Sequence, residues 1–295
     1  MENSNRRLHG PAFFQGEPAV DAVLRQAWYS ENVDTIPDNA RRLLEDYSGL
    51  KPEEVMPHVI ALRDKAFSIW SYACIGQMRF LTYNLSLVPF YSQVLERVRL
   101  GATFLDAGCC FGQEIRYLVQ GGIPSSQLYG FDLEADFIDL GYQLFRDHDK
   151  LQATFVSGDV LAGPNAPEGQ ELSKLQGQID VVFASSFLHV WDWDDMIKAA
   201  KCLISMTRPQ PGSMVVGKQL GSFQAGQYKM PTSSGSNYRH NVESMKRFWQ
   251  QIGVETGTSW KVEAGVYQGH ELTENRNHAW SEPDMCMVWF NAVRE

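Results

Sequence analysis

Apolar and polar positions follow two different patterns along the chain. Up to residue 98, apolar residues recur at the spacing of amphipathic helices. The helices predicted there span residues 19–28, 38–47, 58–72 and 89–98. From residue 101 onwards, short apolar runs of strand length alternate with amphipathic helical segments. The change predicts two parts: an N-terminal helical segment over residues 1–98 and a second domain over residues 99–295.

The second domain is predicted to be an α/β structure. Its parallel strands are predicted over residues 103–107, 127–131, 153–156, 179–184 and 213–217. Its helices are predicted over residues 113–120, 135–145, 194–206 and 241–252, the last with Asn241 as its N-cap. Strands that alternate with helices form a doubly wound, mostly parallel sheet covered on both faces. Two further strands, 260–267 and 285–292, are separated by a polar loop and are expected to pair antiparallel.

Carboxylates follow three successive strands of this predicted sheet. Asp106 ends the first strand, Asp132 ends QLYGFD, and Asp159 follows TFVSG. Sheets of this kind bind ligands at the carboxyl ends of their strands. The loop after the first strand lacks the two glycine-rich patterns that bind phosphates, and no lysine or arginine accompanies the three acids. The sequence therefore predicts a cationic nucleoside ligand without phosphate, a description that S-adenosylmethionine fits.

Several motifs resemble those of a known family. The segment FLDAGCCFGQEI resembles the first motif, [DE]-x-G-x-G-x-G, of class I S-adenosylmethionine-dependent methyltransferases, and YGFDL, SGDVL and IDVVFASSFLHVW resemble the later motifs. VPFYSQVLERV, YRHNVESMKRFWQQIG and MCMVWFNAV are similar to the fungal secondary-metabolite methyltransferases of meroterpenoid and polyketide pathways. This resemblance implies a Rossmann-like sheet of seven strands, with the N-terminal helices as a lid over the active site.

The resemblance also implies a cofactor site. It assigns the methionine part of S-adenosylmethionine to the loop after the first strand, the ribose to the end of the second strand and the adenine to the end of the third. The residues assigned to the cofactor are Asp106, Gly108, Cys109, Gly112, Asp132, Leu133, Asp159, Val160 and Ser185. Cys110 departs from the family pattern, which has glycine there. We expect Cys110 to keep a negative φ with its side chain away from the ligand, and both adjacent cysteines to be small packing residues.

His189 is the candidate catalytic residue, because it lies just past the fourth strand. A carboxylic acid acceptor is already ionised at neutral pH, whereas a phenol or alcohol needs a base to remove its proton. His189 therefore acts as that base or as a substrate contact, or else it orients the loop or packs beside Trp191. The sequence has no acid–acid–amide cluster of the catechol-methyltransferase kind, and the spacing of His270 and His278 is not that of metal ligands, so we expect no metal.

The candidate substrate pocket combines Tyr83, Trp191 and His240. Tyr83 belongs to an aromatic-rich stretch, residues 70–91, which would cover an apolar substrate and exclude water. His240 either borders the pocket or faces solvent near an N-cap. Arg239 either pairs with a substrate carboxylate or forms a surface salt bridge.

The composition of the chain limits the kinds of binding partner and the cellular compartment that we expect. The formal net charge of −9 argues against a nucleic-acid backbone or an anionic membrane as the main partner, because both need a basic face. No apolar run has the length of a signal peptide or a membrane span, and the five cysteines lack zinc-ligand spacing, so we expect a cytoplasmic protein with reduced thiols. The residues from 217 to 238 are rich in glycine and serine and are expected to form a mobile loop. A homodimer is compatible with exposed N-terminal helices.

The resemblance thus implies an O-methyltransferase that acts on a small apolar secondary metabolite, with a carboxyl group as the expected acceptor, and that releases S-adenosyl-L-homocysteine. The first alternative is methylation of a phenol or alcohol, with His189 as the base. The second is a protein of the same fold that binds the cofactor without methyl transfer, as a pericyclic or isomerising catalyst or as a regulator. A nicotinamide-dependent reductase is disfavoured because the G-x-G-x-x-G pattern is missing.

Overall fold

The structure is a computed structural model, and it describes residues 28–163, 165–230, 235–267 and 284–295. The predicted helix 19–28 lies outside the described residues except for its last residue, and His270 and His278 also lie outside them.

The described N-terminal part is helical, as its periodicity predicts. Its helices are α1 (Asp38–Arg42), which continues as a π-helical turn (Leu43–Tyr47), α2 (Pro52–Ile69), α3 (Ala73–Gly76) and α4 (Tyr91–Arg99), with 3-10 turns at Arg79–Leu81 and Asn84–Leu87. Helix α2 begins six residues earlier than predicted. Pro52 fits its first turn, and the Glu54 carboxylate accepts a hydrogen bond from the backbone N–H of Lys51, which caps the helix start.

The remainder forms strand–helix units followed by a strand pair. Its strands are β1 (Phe104–Ala107), β2 (Leu128–Asp132), β3 (Thr154–Ser157), β4 (Val181–Phe183), β5 (Met214–Ser222), β6 (Gly226–Lys229), β7 (Ser236–Arg239), β8 (Trp260–Tyr267) and β9 (Met285–Arg294). Its helices are α5 (Gln113–Gln120), α6 (Ala135–Phe145), α7 (Pro167–Ser173), α8 (Trp193–Met206) and α9 (Val242–Thr256). Asn241 caps α9 as predicted, because its side chain accepts from the N–H of Ser244.

The main sheet has seven strands in the order β3-β2-β1-β4-β5-β9-β8. The first five strands in this order run parallel, and β9 is antiparallel to both of its neighbours. This arrangement confirms the predicted mostly parallel, doubly wound fold and the predicted antiparallel pairing of the last two strands. The strand order reverses between β1 and β4, so a ligand site is expected where the carboxyl ends of these two strands meet.

Burial on both faces explains the continuous apolar strands at the centre of the sheet. All residues of β1 and β4 are buried. Leu105 and Ala107 belong to the core on one face of the sheet, whereas Phe104 belongs to the core on the other face. A third cluster joins the N-terminal helices to α6 and includes Leu44 and Phe137. The N-terminal helices therefore share a core with the second domain near the carboxyl ends of the strands.

The prediction that residues 217–238 form a mobile loop is wrong for those of them that the structure describes. Strand β5 continues to Ser222 beside β9, and β6 and β7 then form an antiparallel hairpin. The glycines that favoured a loop are required by close backbone contacts instead. A Cβ at Gly217 would lie 2.2 Å from the carbonyl oxygen of Ala184, and one at Gly221 would lie 2.2 Å from that of His240.

A buried ion pair of the second domain also binds Tyr47 of the N-terminal part. Arg116 of α5 makes two hydrogen bonds to the Asp147 carboxylate, Nε to Oδ2 at 2.9 Å and Nη2 to Oδ1 at 3.0 Å, and both side chains are fully buried. The Tyr47 hydroxyl also donates to this carboxylate at 2.8 Å. Removal of one partner from such a pair leaves an uncompensated buried charge.

We expect Asp147→Ala to lower the free energy of unfolding by about 3–5 kcal/mol, because it leaves the Arg116 guanidinium buried without its carboxylate. Urea unfolding followed by circular dichroism measures the change. The matched control is Glu171→Ala, which breaks an exposed ion pair with Lys174 and should change stability by less than about 1 kcal/mol. Equal losses in the two variants would contradict this role of the buried pair.

Candidate active site

The loop between β1 and α5 bends through three left-handed residues. Gly108, Cys110 and Gly112 have φ values of 68°, 51° and 62°. The expected negative φ of Cys110 is therefore wrong. A non-glycine residue in this region costs about 1–2 kcal/mol, and a hydrogen bond from the Cys110 N–H to the Asp132 carboxylate (2.8 Å) offsets part of that cost. We call residues 108–112 the cofactor loop.

The paired cysteines pack within this loop. Cys109 is buried, and Cys110 is partly exposed and contacts the apolar cluster of the N-terminal helices. Burial raises the pKa of both thiols well above its usual range, and the Asp132 carboxylate adds to the effect. Both thiols therefore stay protonated at neutral pH, a state that suits packing and disfavours nucleophilic attack.

Asp132 links the cofactor loop to the end of β2. Its Oδ2 accepts from the Cys110 N–H and its Oδ1 from the Glu134 N–H at 3.1 Å. Burial of the carboxyl raises its pKa to about 6, although these two hydrogen bonds act in the opposite direction. Each carboxylate oxygen has a second lone pair, so Asp132 retains the capacity to accept from ribose hydroxyls.

Asp106 is buried on the same edge of the sheet. Its Oδ2 has no hydrogen-bond partner among the residues that the structure describes. Burial, and secondarily the nearby Asp132, raises the pKa of Asp106 to about 8, so the carboxyl is mostly protonated at neutral pH when no cation is present. An ammonium or sulfonium group beside it would favour the ionised form. Asp106 thus fits the predicted cationic ligand.

The end of β3 lies next to the end of β2, because the Gly158 N–H donates to the Asp132 carbonyl at 3.0 Å. Asp159 is buried there, and its Oδ1 accepts from the Leu161 N–H at 2.8 Å. Val160 is buried in the core beside it. Ser185, past β4, donates from Oγ to the Lys218 carbonyl at 3.3 Å. The topology brings all nine predicted cofactor residues to the carboxyl edge, while the individual role of each stays a prediction.

Two residues that the sequence did not single out also shape this edge. The ring of Phe187 lies against Gly108, where a Cβ would approach it to 2.6 Å, and it packs edge-on against Trp191. Glu114 is buried and accepts from the N–H groups of Asn84 and Leu85, so it joins α5 to the N-terminal part. The pattern G-x-C-x-G signalled a crowded loop, but the sequence did not indicate which ring fills the space.

A buried lysine corrects the expectation that the edge holds no cation. Lys218 of β5 is fully buried, and its ammonium lies 4.2 Å from the centre of the Tyr267 ring. Burial raises the pKa of Glu114, with Asp106 adding to the rise and the charge of Lys218 opposing it. Acidic and basic groups therefore meet here, although the residues lie far apart in the chain.

His189 lies in the 3-10 turn Leu188–Val190, past β4. Its carbonyl accepts from the Asn237 side chain at 2.9 Å, and its buried Nδ1 has no partner within the described part of the chain. Burial, and secondarily the charges of Arg239 and Arg79, lower the pKa of His189 to about 4. The imidazole is therefore neutral at pH 7 and a weak base.

The predicted substrate residues lie in different environments. Trp191 is buried, and no described residue accepts from its Nε1, which leaves a donor beside His189. Tyr83 is almost fully buried and stacks on Tyr117 with ring centres 4.3 Å apart, so its ring packs in the core that the N-terminal helices share with the second domain. A substrate role for either residue stays a prediction.

The solvent-facing alternative for His240 is wrong, because the residue is fully buried. Its Nδ1 contacts Ser244 Oγ at 3.0 Å and its Nε2 contacts Met196 Sδ at 3.1 Å, between α8 and α9. Arg239 is also buried, with its guanidinium 4.4 Å from the Tyr228 ring centre, so the surface salt bridge is wrong as well. Arg239 ends β7 and His240 follows it directly, so the hairpin brings both residues into the interior, which the local sequence did not indicate.

Comparison with known proteins identifies the class. A model described as meroterpenoid methyltransferase N-terminal domain matches residues 28–81, and a methyltransferase domain model matches residues 105–211. The chain is 46% identical over 240 residues to O-methyltransferase phiE of Fungal sp. (strain ATCC 74256), covering 80% of this chain and 78% of that protein. It is 36% identical over 243 residues to the Asnovolin E/Chermesin D methyltransferase nvfJ of Aspergillus novofumigatus, covering 82% and 86%.

Among solved structures, 1,6-didemethyltoxoflavin-N1-methyltransferase of Burkholderia thailandensis resembles the chain with a TM-score of 0.49 and 13% identity, covering 81% of this chain and 90% of that one. The chain belongs to the family of fungal secondary-metabolite methyltransferases that the sequence matches define. It is an S-adenosylmethionine-dependent methyltransferase. Asp106 Oδ2, which has no hydrogen-bond partner among the described residues, and the remaining acceptor capacity of Asp132 fit that cofactor.

The described residues contain neither a cluster of metal ligands nor a helix fit to span a membrane. No group of three or more histidine, cysteine, aspartate or glutamate side chains there is arranged to hold a metal ion. No helix in the same residues is both long and apolar enough to cross a bilayer.

We expect Asp132→Ala to weaken S-adenosylmethionine binding about 10–100-fold, because it removes a predicted ribose acceptor and the partner of the Cys110 N–H together. Isothermal titration calorimetry measures the dissociation constant. Asp139→Ala, at an exposed position on α6, is the control and should bind as tightly as the wild type. An unchanged affinity in Asp132→Ala would contradict its placement at the cofactor.

We expect Asp106→Asn to remove a pH dependence of stability. The folded-state pKa of about 8 lies above the reference value of 3.8, so between these values the folded protein binds more protons and its stability falls as pH rises. Asparagine cannot take up that proton. Urea unfolding of the cofactor-free protein at about pH 5, 7 and 9 should show the variant gaining stability relative to wild type as pH rises. A difference between the two proteins that does not vary with pH would show that Asp106 ionises normally.

Proposed function

We propose that the enzyme methylates the carboxyl group of a small apolar secondary metabolite. The observation that carries this proposal is the state of His189. Burial and two arginine charges lower its pKa to about 4, so it is a poor base at neutral pH. A carboxylate acceptor needs no base, whereas a phenol or alcohol does.

The charges beside His189 also favour an anionic acceptor. Arg239 and Arg79 act on the imidazole with positive charge, and the same field would stabilise a carboxylate that approaches Nδ1. When bound, S-adenosylmethionine supplies an activated methyl group on its sulfonium. The neutral imidazole and the Trp191 N–H would then orient the acceptor oxygen toward that methyl group, because both groups lack partners among described residues.

Aromatic rings support an apolar acceptor. Phe187 and Trp191 form one wall beside the cofactor loop. Tyr72 of the N-terminal part lies 6.2 Å, between ring centres, from Phe137, and burial and the Asp132 charge raise its pKa, which supports a lid near the cofactor site. In this proposal residues 1–98 form the lid that excludes water, and residues 99–295 bind the cofactor.

The relatives support oxygen as the acceptor atom, and the match to the meroterpenoid methyltransferase N-terminal domain supports a meroterpenoid as its carrier. Two of them, phiE and atr3 of Stereocaulon alpinum (40% identical over 249 residues), are named O-methyltransferases. The relative nvfJ is named for asnovolin E and chermesin D.

The test supplies S-adenosylmethionine and matched acceptor pairs, each an apolar carboxylic acid and its neutral alcohol, drawn from terpenoid and alkylbenzoic compounds. Mass spectrometry should detect S-adenosylhomocysteine and a methyl ester with the acids and no methyl ether with the alcohols. Ether formation would identify a hydroxyl acceptor. Cofactor binding without transfer to any compound would favour the cofactor-binding alternative without catalysis.

We expect His189→Ala to retain methylation of an acid acceptor within about tenfold of wild type, with the same pH profile from about pH 6 to 9, because no proton is removed. Steady-state kinetics measures this. His148→Ala, at an exposed position, is the control. A complete loss of activity that high pH restores would instead show that His189 is a base for a hydroxyl acceptor.

A further inference from the structure

Arg79 is placed by an unusual backbone conformation in the N-terminal part. The preceding residue, Met78, has φ 57° and ψ 24°, a left-handed backbone conformation that residues other than glycine rarely adopt. Such strain persists where the surroundings hold it and is concentrated at functional sites. Met78, Phe80 and Leu81 are all buried, so the turn Arg79–Leu81 is anchored on both sides of the arginine.

The Arg79 guanidinium lacks a protein partner in the described part of the chain. Its Nε is buried and makes no hydrogen bond, and no ion pair or hydrogen bond joins the side chain to another described residue. Arg63 and Arg116, by contrast, each bind a carboxylate and a backbone carbonyl. A buried hydrogen-bond donor without a partner lowers stability by about 1–3 kcal/mol. Arg79 would therefore gain a hydrogen bond from an acceptor supplied by a ligand.

Arg79 is connected to two parts of the site, the cofactor loop and His189. The next residue, Phe80, packs edge-on against Phe111 of the cofactor loop with ring centres 4.7 Å apart, so the turn that carries Arg79 lies beside that loop. The positive charge of Arg79 also contributes to the lowered pKa of His189, whose Nδ1 has no partner among the described residues.

We propose that Arg79 binds the carboxylate of the acceptor and thereby selects anionic acceptors over neutral ones. The inference rests on the proposed carboxyl methylation. A guanidinium presents two parallel N–H donors that match the two oxygens of a carboxylate, and this geometry would leave one oxygen directed at the methyl group. Because the turn belongs to the N-terminal part, that part supplies specificity as well as cover.

The kinetic test compares wild type, Arg79→Gln and Arg79→Lys on the acid that turns over fastest among those above. We expect KM for the acid to rise at least about 30-fold in Arg79→Gln and about 5–10-fold in Arg79→Lys, which keeps the charge without the planar fork. The dissociation constant of S-adenosylmethionine should stay within about twofold, and kcat within about threefold. Arg99→Gln, at an exposed position on α4, is the matched control and should change neither constant.

Three outcomes would overturn this role. The first is an unchanged KM in Arg79→Gln. The second is a loss of cofactor affinity that parallels the rise in KM, which would assign Arg79 to the cofactor's own carboxylate. The third is an equal KM change for an acid and its alcohol in an enzyme that methylates both.

A binding measurement separates failure of this inference from failure of the proposed function. Abietic acid, an apolar tricyclic acid, is titrated into wild type and Arg79→Gln saturated with S-adenosylhomocysteine. Binding to wild type and at least about 30-fold weaker binding to the variant would support the carboxylate site even if no acid is methylated. Equal binding to both proteins, or none to wild type, would overturn it. Equal thermal unfolding midpoints verify that the variant is folded.

Discussion

The cofactor loop keeps its shape because two side chains from outside it, Asp132 and the buried Arg116, bind its backbone. The Asp132 carboxylate accepts from the Cys110 N–H, and the Arg116 guanidinium donates to the Phe111 carbonyl at 2.9 Å. Three left-handed residues in five are unfavourable unless such contacts hold them. Asp147, which pairs with Arg116 and also binds Tyr47, extends this support to the N-terminal helices. Cofactor binding therefore depends on packing well beyond the loop.

The same edge of the sheet is divided electrostatically. On one side, the pKa values of Asp106 and Asp132 are raised, and a bound cation would favour their ionised forms. Without a ligand, the protein is therefore less stable at neutral pH than it would be with neutral side chains at these two positions. On the other side, burial keeps His189 neutral, and the positive charges of Arg239 and Arg79 favour the same form. A cationic methyl donor and an anionic acceptor would each meet complementary charge, and each would stabilise the other's binding.

The N-terminal part takes a direct role in this division. The family model of the meroterpenoid methyltransferase N-terminal domain covers residues 28–81, which include Arg79, whereas the methyltransferase model covers residues 105–211, which include the three carboxylates. The Glu114 carboxylate accepts a hydrogen bond from the backbone N–H of Asn84 and so joins the two parts. In our proposals, changes in the N-terminal part would alter acceptor choice while the cofactor site stays the same.

The sequence by itself determined the alternation of the main parallel strands with their helices and the acids at the strand ends. These features are local: strand runs, helical periodicity and a residue such as Asp132 at a strand's end are visible within ten residues. Contacts between remote segments decided the rest. The positive φ of Cys110 depends on Asp132, the extension of β5 depends on its pairing with β9, and the burial of His240 depends on α8 and β7. The approach of Arg79 and Lys218 to the site was likewise invisible, because a local pattern does not record which distant side chains share a low-dielectric interior.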